Sequence, residues 1–229
     1  MSQQFLKLIQ RGATAEIADS VADDPSLLTW RDPQGVSALM WSIYSGQTLV
    51  RDFLLAEKSR ASQPLDIFEA SAVGNANSLR QILNETPEAI HDFSGDGWTP
   101  LHLAAAFGTP EAVQLLLQYG TSVHTVSKNP QTNQPLHAAL ALGRNPETIR
   151  LLLEAGADPN ARQTGGYTPI FSAAAANRRH LCEILFAAKA DPAIQNDFGQ
   201  TAATFARERS HNELADWLES LSSPPAETN

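Results

Sequence analysis

Two histidines, His102 and His137, stand 35 residues apart in one local setting, each following Pro-Leu. They are the first candidates for acid–base or metal chemistry, because histidine titrates near neutral pH and ligates metals readily. A slot that recurs, however, points to architecture, with ring nitrogens tying neighbouring loops together. Successive units pack about 10 Å apart, too far for both rings to reach one zinc ion at a Zn–N distance of about 2.0–2.1 Å. His180 and His211 each open the second helix of a unit, a solvent-facing position, and His91 and His124 fall in loops without an obvious partner. Cys182 has His180 nearby, but residues at i and i+2 on a helix do not face each other. Cys182 also aligns with Val113 on an apolar face, where a free thiol packs as a small hydrophobe. Neither Asp23-Asp24 nor the set Asp92, Ser94 and Asp96 has the ligand spacing of a calcium loop. The chain shows no Gly-rich phosphate loop, nucleophile elbow or zinc-protease motif, and Gly165-Gly166 reads as a turn. The expectation is a protein that is not an enzyme, with no catalytic residue, cofactor or metal.

The elements that carry these residues follow from composition and repetition. The chain has 229 residues, 42% hydrophobic and 18% charged, the balance of a folded globular protein. No apolar run approaches the 18 or more residues of a membrane span, and the first residues lack the pattern of a secretory signal. One cysteine can form neither an internal disulfide nor a multi-cysteine zinc site, which fits a reducing, cytoplasmic setting. The net charge is −9, and residues 1–125 hold 14 acidic against 7 basic side chains. Such a surface disfavours nucleic acid and anionic membranes and favours a partner with basic residues.

Gly12, Gly46, Gly74, Gly108, Gly143, Asn177 and Ser210 punctuate the chain at spacings of 34, 28, 34, 35, 34 and 33 residues. Independently, Gly12, Pro25, Gly35, Gly46 and Leu55 recur as Gly74, Pro87, Gly97, Gly108 and Leu117, all offset by 62. Seven units near 33 residues make an array. Within a unit, Thr99-Pro100 opens a helix, with Thr as N-cap and Pro where its missing N–H costs nothing. Leu and Ala keep that helix narrow, and Gly or Asn177 suits a left-handed terminus. A second helix follows, burying Val113, Leu116 and Leu117 at i, i+3 and i+4. Turns such as Gly156-Ala157-Asp158-Pro159-Asn160 end the unit.

Thr99-Pro100-Leu101-His102-Leu103-Ala104-Ala105 and Gly156-Ala157-Asp158-Pro159-Asn160 closely resemble the ankyrin repeat family, across roughly residues 3–221. The resemblance implies an all-α solenoid of about seven repeats including two caps, with β-hairpin-like loops protruding from stacked helix pairs. We expect a single domain over 1–221, an N-terminal cap at 1–30, a C-terminal cap at 199–221, and a disordered tail at 222–229. The 28-residue step lacks room for a full hairpin, so Glu57–Pro64 should be a short loop beside a notch in the hairpin row. Gln131-Thr132-Asn133-Gln134 replaces the usual Gly-x-Thr, so the hairpin there should be irregular.

In this family partners contact the hairpin tips and the two residues before the punctuating Gly. Mapped here, those slots hold Tyr44, Asp96, Trp98, Phe107, Asn133, Leu142 and Tyr167, of which Trp98, Phe107 and Tyr167 stand together in the map. Trp98 has two readings, an interface anchor or a ring stacked on the next hairpin. The resemblance implies a monomeric protein–protein interaction module that holds a partner on its concave face. The alternative is an accessory or inhibitory subunit that covers an enzyme's site.

Overall fold

A computed structural model describes residues 2–142 and 145–222. Gly143 and the tail at 223–229 lie outside the described residues, and Ser222 closes the last helix rather than starting a tail. Among the described residues seven helix pairs follow one another: α1 (Ser2–Gln10) with α2 (Thr14–Asp23), α3 (Ala38–Tyr44) with α4 (Thr48–Arg60), α5 (Ile67–Val73) with α6 (Ala76–Glu85), and α7 (Pro100–Phe107) with α8 (Pro110–Gln118). The array continues with α9 (Pro135–Ala141) and α10 (Pro146–Glu154), α11 (Pro169–Ala175) and α12 (Arg179–Ala187), and α13 (Ala202–Arg207) and α14 (Asn212–Ser222). First helices stack on first helices from α1 to α13, and second helices form the other layer. The fold is therefore an all-α repeat solenoid.

The helix starts are specified locally. Thr99 Oγ1 accepts from the His102 backbone N–H, while His102 Nδ1 accepts from that of Thr99, a capping box with histidine as the reciprocal acceptor. Asp66 and Glu69 form the same box at α5, and Ser37 and Thr201 cap α3 and α13. Punctuation at Gly12, Gly46, Gly74, Asn177 and Ser210 adopts φ between 53° and 74°, the left-handed form expected of it. Gly108 departs from that rule, with φ −80°. It is glycine because a Cβ there would lie 2.4 Å from the Ser71 carbonyl oxygen of the preceding repeat. A close approach of two repeats, not a turn, fixes this residue.

Five loops project between pairs as fingers, each closed by a backbone hydrogen bond: Asp32 to Val36, Ser94 to Trp98, Ser127 to Asn133, Gln163 to Tyr167 and Asn196 to Gln200. The only β-bridge among the described residues joins Arg31 and Ser37, so the fingers are held by turns rather than by strands. Consecutive fingers are laced by single backbone bonds, Lys128 N–H to Gly97 O at 2.8 Å, Thr164 N–H to Gln131 O at 3.0 Å and Asp197 N–H to Gly165 O at 2.9 Å. Thr132 takes φ 46° in the third finger, the irregularity its sequence suggested.

At the short step the chain differs from the expected loop. Residues 57–60 remain helical in α4, so the connector is only 61–66. This extra turn places Lys58 in the interior, with Nζ 3.3 Å from Glu69 Oε2 and 3.2 Å from the Leu28 carbonyl oxygen. Both side chains are almost wholly removed from water, and Glu69 Oε1 has no hydrogen-bond partner. The buried apolar residues divide at the same place. One group runs from Phe5 to Leu54, a second from Ile67 to Leu218, and Val36, Met40, Ala72 and Leu103 bridge them under the fingers.

Candidate partner-binding face

The fingers and the first helices line one face. Its histidines are structural. His102 is fully buried, with Nε2 3.0 Å from the Asn133 carbonyl oxygen and Nδ1 2.7 Å from Thr99 Oγ1. A carbonyl can only accept, so Nε2 carries the proton and Nδ1 is the acceptor. His137 repeats the plan one unit on, with Nε2 3.1 Å from the Ala161 carbonyl oxygen. Burial pulls the His102 pKa down to about 4, against the opposing effect of the Asn133 hydrogen bond, and burial also lowers that of His137. Both rings are neutral ties between repeats. His180 is exposed, but His211 is half-buried and bonds the Ala175 carbonyl oxygen of the previous repeat, so it too joins neighbours. Cys182 is buried, and desolvation pushes its thiol up to about 12, too high for a thiolate at neutral pH. Among the described residues no three His, Cys, Asp or Glu side chains gather as a metal-ligand set.

The seven mapped surface residues fall into different settings. Tyr44, Phe107 and Trp98 are half-buried and pack on the bridging group under the fingers. The Tyr44 ring lies 5.5 Å from that of Phe107 and 6.2 Å from that of Trp41. Trp98 sets its ring edge-on to His102 of its own repeat at 5.6 Å and lines a shallow pocket with residues 128–131 of the next finger. Asp96, partly exposed at the tip of the same finger, accepts from Ser94 Oγ at 2.6 Å. Leu142 is 48% exposed. Asn133 is a correction, because at 5% exposure it lies inside, its carbonyl committed to His102 and its backbone N–H to Ser127 Oγ. Val36, in the same slot of the first finger, is buried as well.

Tyr167 is a second correction, since it does not stand with Trp98 and Phe107. It belongs to an aromatic group further along, 5.4 Å from Phe171, 5.5 Å from Phe205 and 6.3 Å from Phe198. Phe198 is 71% exposed on the last finger, and Arg209 stacks over Phe205 at 3.7 Å. The face therefore carries two aromatic patches, one around Tyr44, Trp98 and Phe107, the other around Tyr167 and Phe198. Phe198 occupies a finger-tip slot and was open to the same mapping that gave Trp98.

Between the first two fingers, where the short step omits one, a cavity of about 220 Å³ is lined by Arg31, Met40, Tyr44, Asp66, Phe68 and Asp96, among others. Its roof is the contact of the two flanking fingers, so tight that a Cβ on Gly95 would lie 1.6 Å from the Gln34 carbonyl oxygen. The Tyr44 hydroxyl is buried here, turned toward the Asp96 carboxylate. Burial raises its pKa strongly, and the nearby Asp96 carboxylate raises it further.

Residues 67–163 match the family model described as ankyrin repeats, three copies. The chain is 36% identical over 126 residues to ankyrin repeat and SAM domain-containing protein 6 of Rattus norvegicus, covering 53% of this chain and 13% of that one. It is 38% identical over 110 residues to ankyrin repeat and SOCS box protein 16 of Mus musculus, covering 45% and 24%. Ankyrin repeat domain-containing protein 53 of Homo sapiens is 39% identical over 111 residues, covering 46% and 20%. The chain thus spans at most about a quarter of the length of these relatives.

Proposed function

Since the chain is an ankyrin-repeat protein, we propose that it works without catalysis, holding a protein partner on the concave face formed by its fingers and first helices. Repeats of this kind generally serve protein–protein interaction, and stacked units present an extended surface rather than a chemical pocket. The observation that carries the reading is the patch of Tyr44, Trp98 and Phe107, half-exposed beside Asp96 on a row of fingers laced by backbone hydrogen bonds. Aromatic side chains already fixed by packing lose little entropy on docking and are common anchors of interfaces. The acidic first half favours a partner surface rich in Lys and Arg, which would speed association at low salt.

The test is positional cross-linking in the native cell extract. A photo-reactive residue at position 107 should capture a discrete protein, and the same group at 49, an exposed position on α4 in the other layer, should not. Capture from 49 in preference to 107 would move the interface to the opposite face.

A further inference from the structure

We infer that the cavity beneath the first two fingers receives one basic side chain, a lysine or arginine, of the partner protein. The inference rests on the concave-face reading above and deepens it.

The argument starts from charge. Arg31, Asp66 and Asp96 are the charged groups of the lining. Arg31 is engaged twice, by an ion pair with Asp66 and by a 2.9 Å hydrogen bond to the Gly35 carbonyl oxygen. Asp66 is further committed to the α5 cap, accepting from the Glu69 N–H at 2.8 Å. Asp96 faces the neutral hydroxyls of Ser94 and Tyr44, so the lining carries one carboxylate without a cation. The Tyr44 hydroxyl beside it is buried and turned toward the same carboxylate, a second neutral group and not a cation. An ammonium or guanidinium supplies charged N–H donors to Asp96, whereas a carboxylate would meet it with like charge.

Shape agrees with this occupant. The cavity holds about as much volume as seven waters and falls below the range of about 300–1,000 Å³ typical of drug-sized ligands. Val36, Met40 and Phe68 offer apolar wall to an aliphatic stem, and Asp96 belongs to the same lining. The site arises because the 28-residue step removes a finger and its neighbours close over the gap through Gly95 and Gln34. Where fingers are consecutive, the lacing bonds between them occupy the corresponding backbone.

The experiment is an NMR titration of the full chain with N-acetyl-arginine methylamide and N-acetyl-lysine methylamide, with N-acetyl-glutamate methylamide as the control. A basic probe should shift the amides of Val36, Tyr44 and Ser94–Asp96 saturably, and the acidic probe should not. Asp96→Asn should weaken the response about tenfold or more, the ratio expected when a charged hydrogen bond is lost. N-acetyl-citrulline methylamide, the neutral isostere of the arginine probe, decides the matter if Asp96→Asn melts early; it should bind at least about tenfold more weakly than the arginine probe. No saturable shift, an equal response to the acidic probe, an equal affinity for the citrulline probe, or wild-type binding by a folded Asp96→Asn variant overturns the inference. Retained cross-linking from position 107 in that event leaves the concave-face reading standing, while loss of that cross-link with intact probe binding removes the reading and keeps the cavity.

Discussion

Acid should loosen this protein through its buried histidines before it touches any surface chemistry. His102 titrates near 4 in the folded chain and near 6.5 in an unfolded one. The cause is burial; the ring's polar contacts are the Asn133 carbonyl and Thr99, and the ionisable group that acts on it is His137, which lowers the value further. Between those two pH values the unfolded chain binds a proton that the folded chain refuses. Unfolding therefore gains free energy as pH falls, and the stability present above about pH 6.5 drains away until about pH 4. A gap of about 2.5 units is worth roughly 3 kcal/mol at about 1.4 kcal/mol per unit, most of it already lost by pH 4.5. His137 shifts in the same direction and adds to the loss. Urea unfolding at pH 7.5, 5.5 and 4.5 on the wild type and His102→Gln gives the measurement, with the difference between the two isolating this ring from the carboxylates. The variant should be weaker at pH 7.5 and lose less on acidification, and a captured partner should still bind it. Parallel pH curves for the two proteins would refute the reasoning, because a histidine that protonates equally in both states cannot couple to folding.

Leu116→Ala should cost about 2–5 kcal/mol in chemical denaturation, since Leu116 is fully buried on α8, and a loss below about 1 kcal/mol would mean that the buried face is misplaced. Lys58→Met should cost about 3–5 kcal/mol by stranding Glu69 in the interior, whereas Lys58→Met with Glu69→Leu should recover most of it; a double variant as weak as the single would contradict this account of the pair. Deleting residues 1–30 strips Phe5, Ile9 and Ile17 from Leu39, Val50 and Leu54, so the shortened chain should melt earlier and aggregate more, and an unchanged melting temperature would argue against a capping role.

The periodic features of the chain were readable because each is decided within one repeat. A punctuating residue, a Thr-Pro start and an i, i+3, i+4 apolar face answer to local sterics and capping, and the described residues carry the helix pairs these marks announce. Features decided between repeats were not. Gly108 looks like its counterparts in sequence, yet Ser71 two helices earlier dictates it. Asn133 occupies a surface slot by alignment and is drawn inside by a histidine 31 residues away. The polar run after Leu55 suggested a loop, because nothing local announces that Lys58 will find Glu69 and the Leu28 carbonyl. Slot mapping likewise gave Tyr44 and Asp96 separately, and only the closure of two fingers separated by 61 residues brings them to one cavity.

The split in the core at the short step decides how the array comes apart. In a stack where each unit leans only on its neighbours, failure begins at the weakest joint. Here the joint between α4 and α5 replaces part of the apolar seam with one ion pair, and most of the buried apolar residues stay on one side of it or the other. Pulled from its ends, the molecule would yield in two steps of unequal length. The first releases the two leading units, which hold too small a core to stand alone, and the second unravels the five that follow. Their core, continuous from Ile67 to Leu218, would act as the longer-lived fragment. A protease working during such excursions would cut first near residues 61–66 and leave that fragment whole.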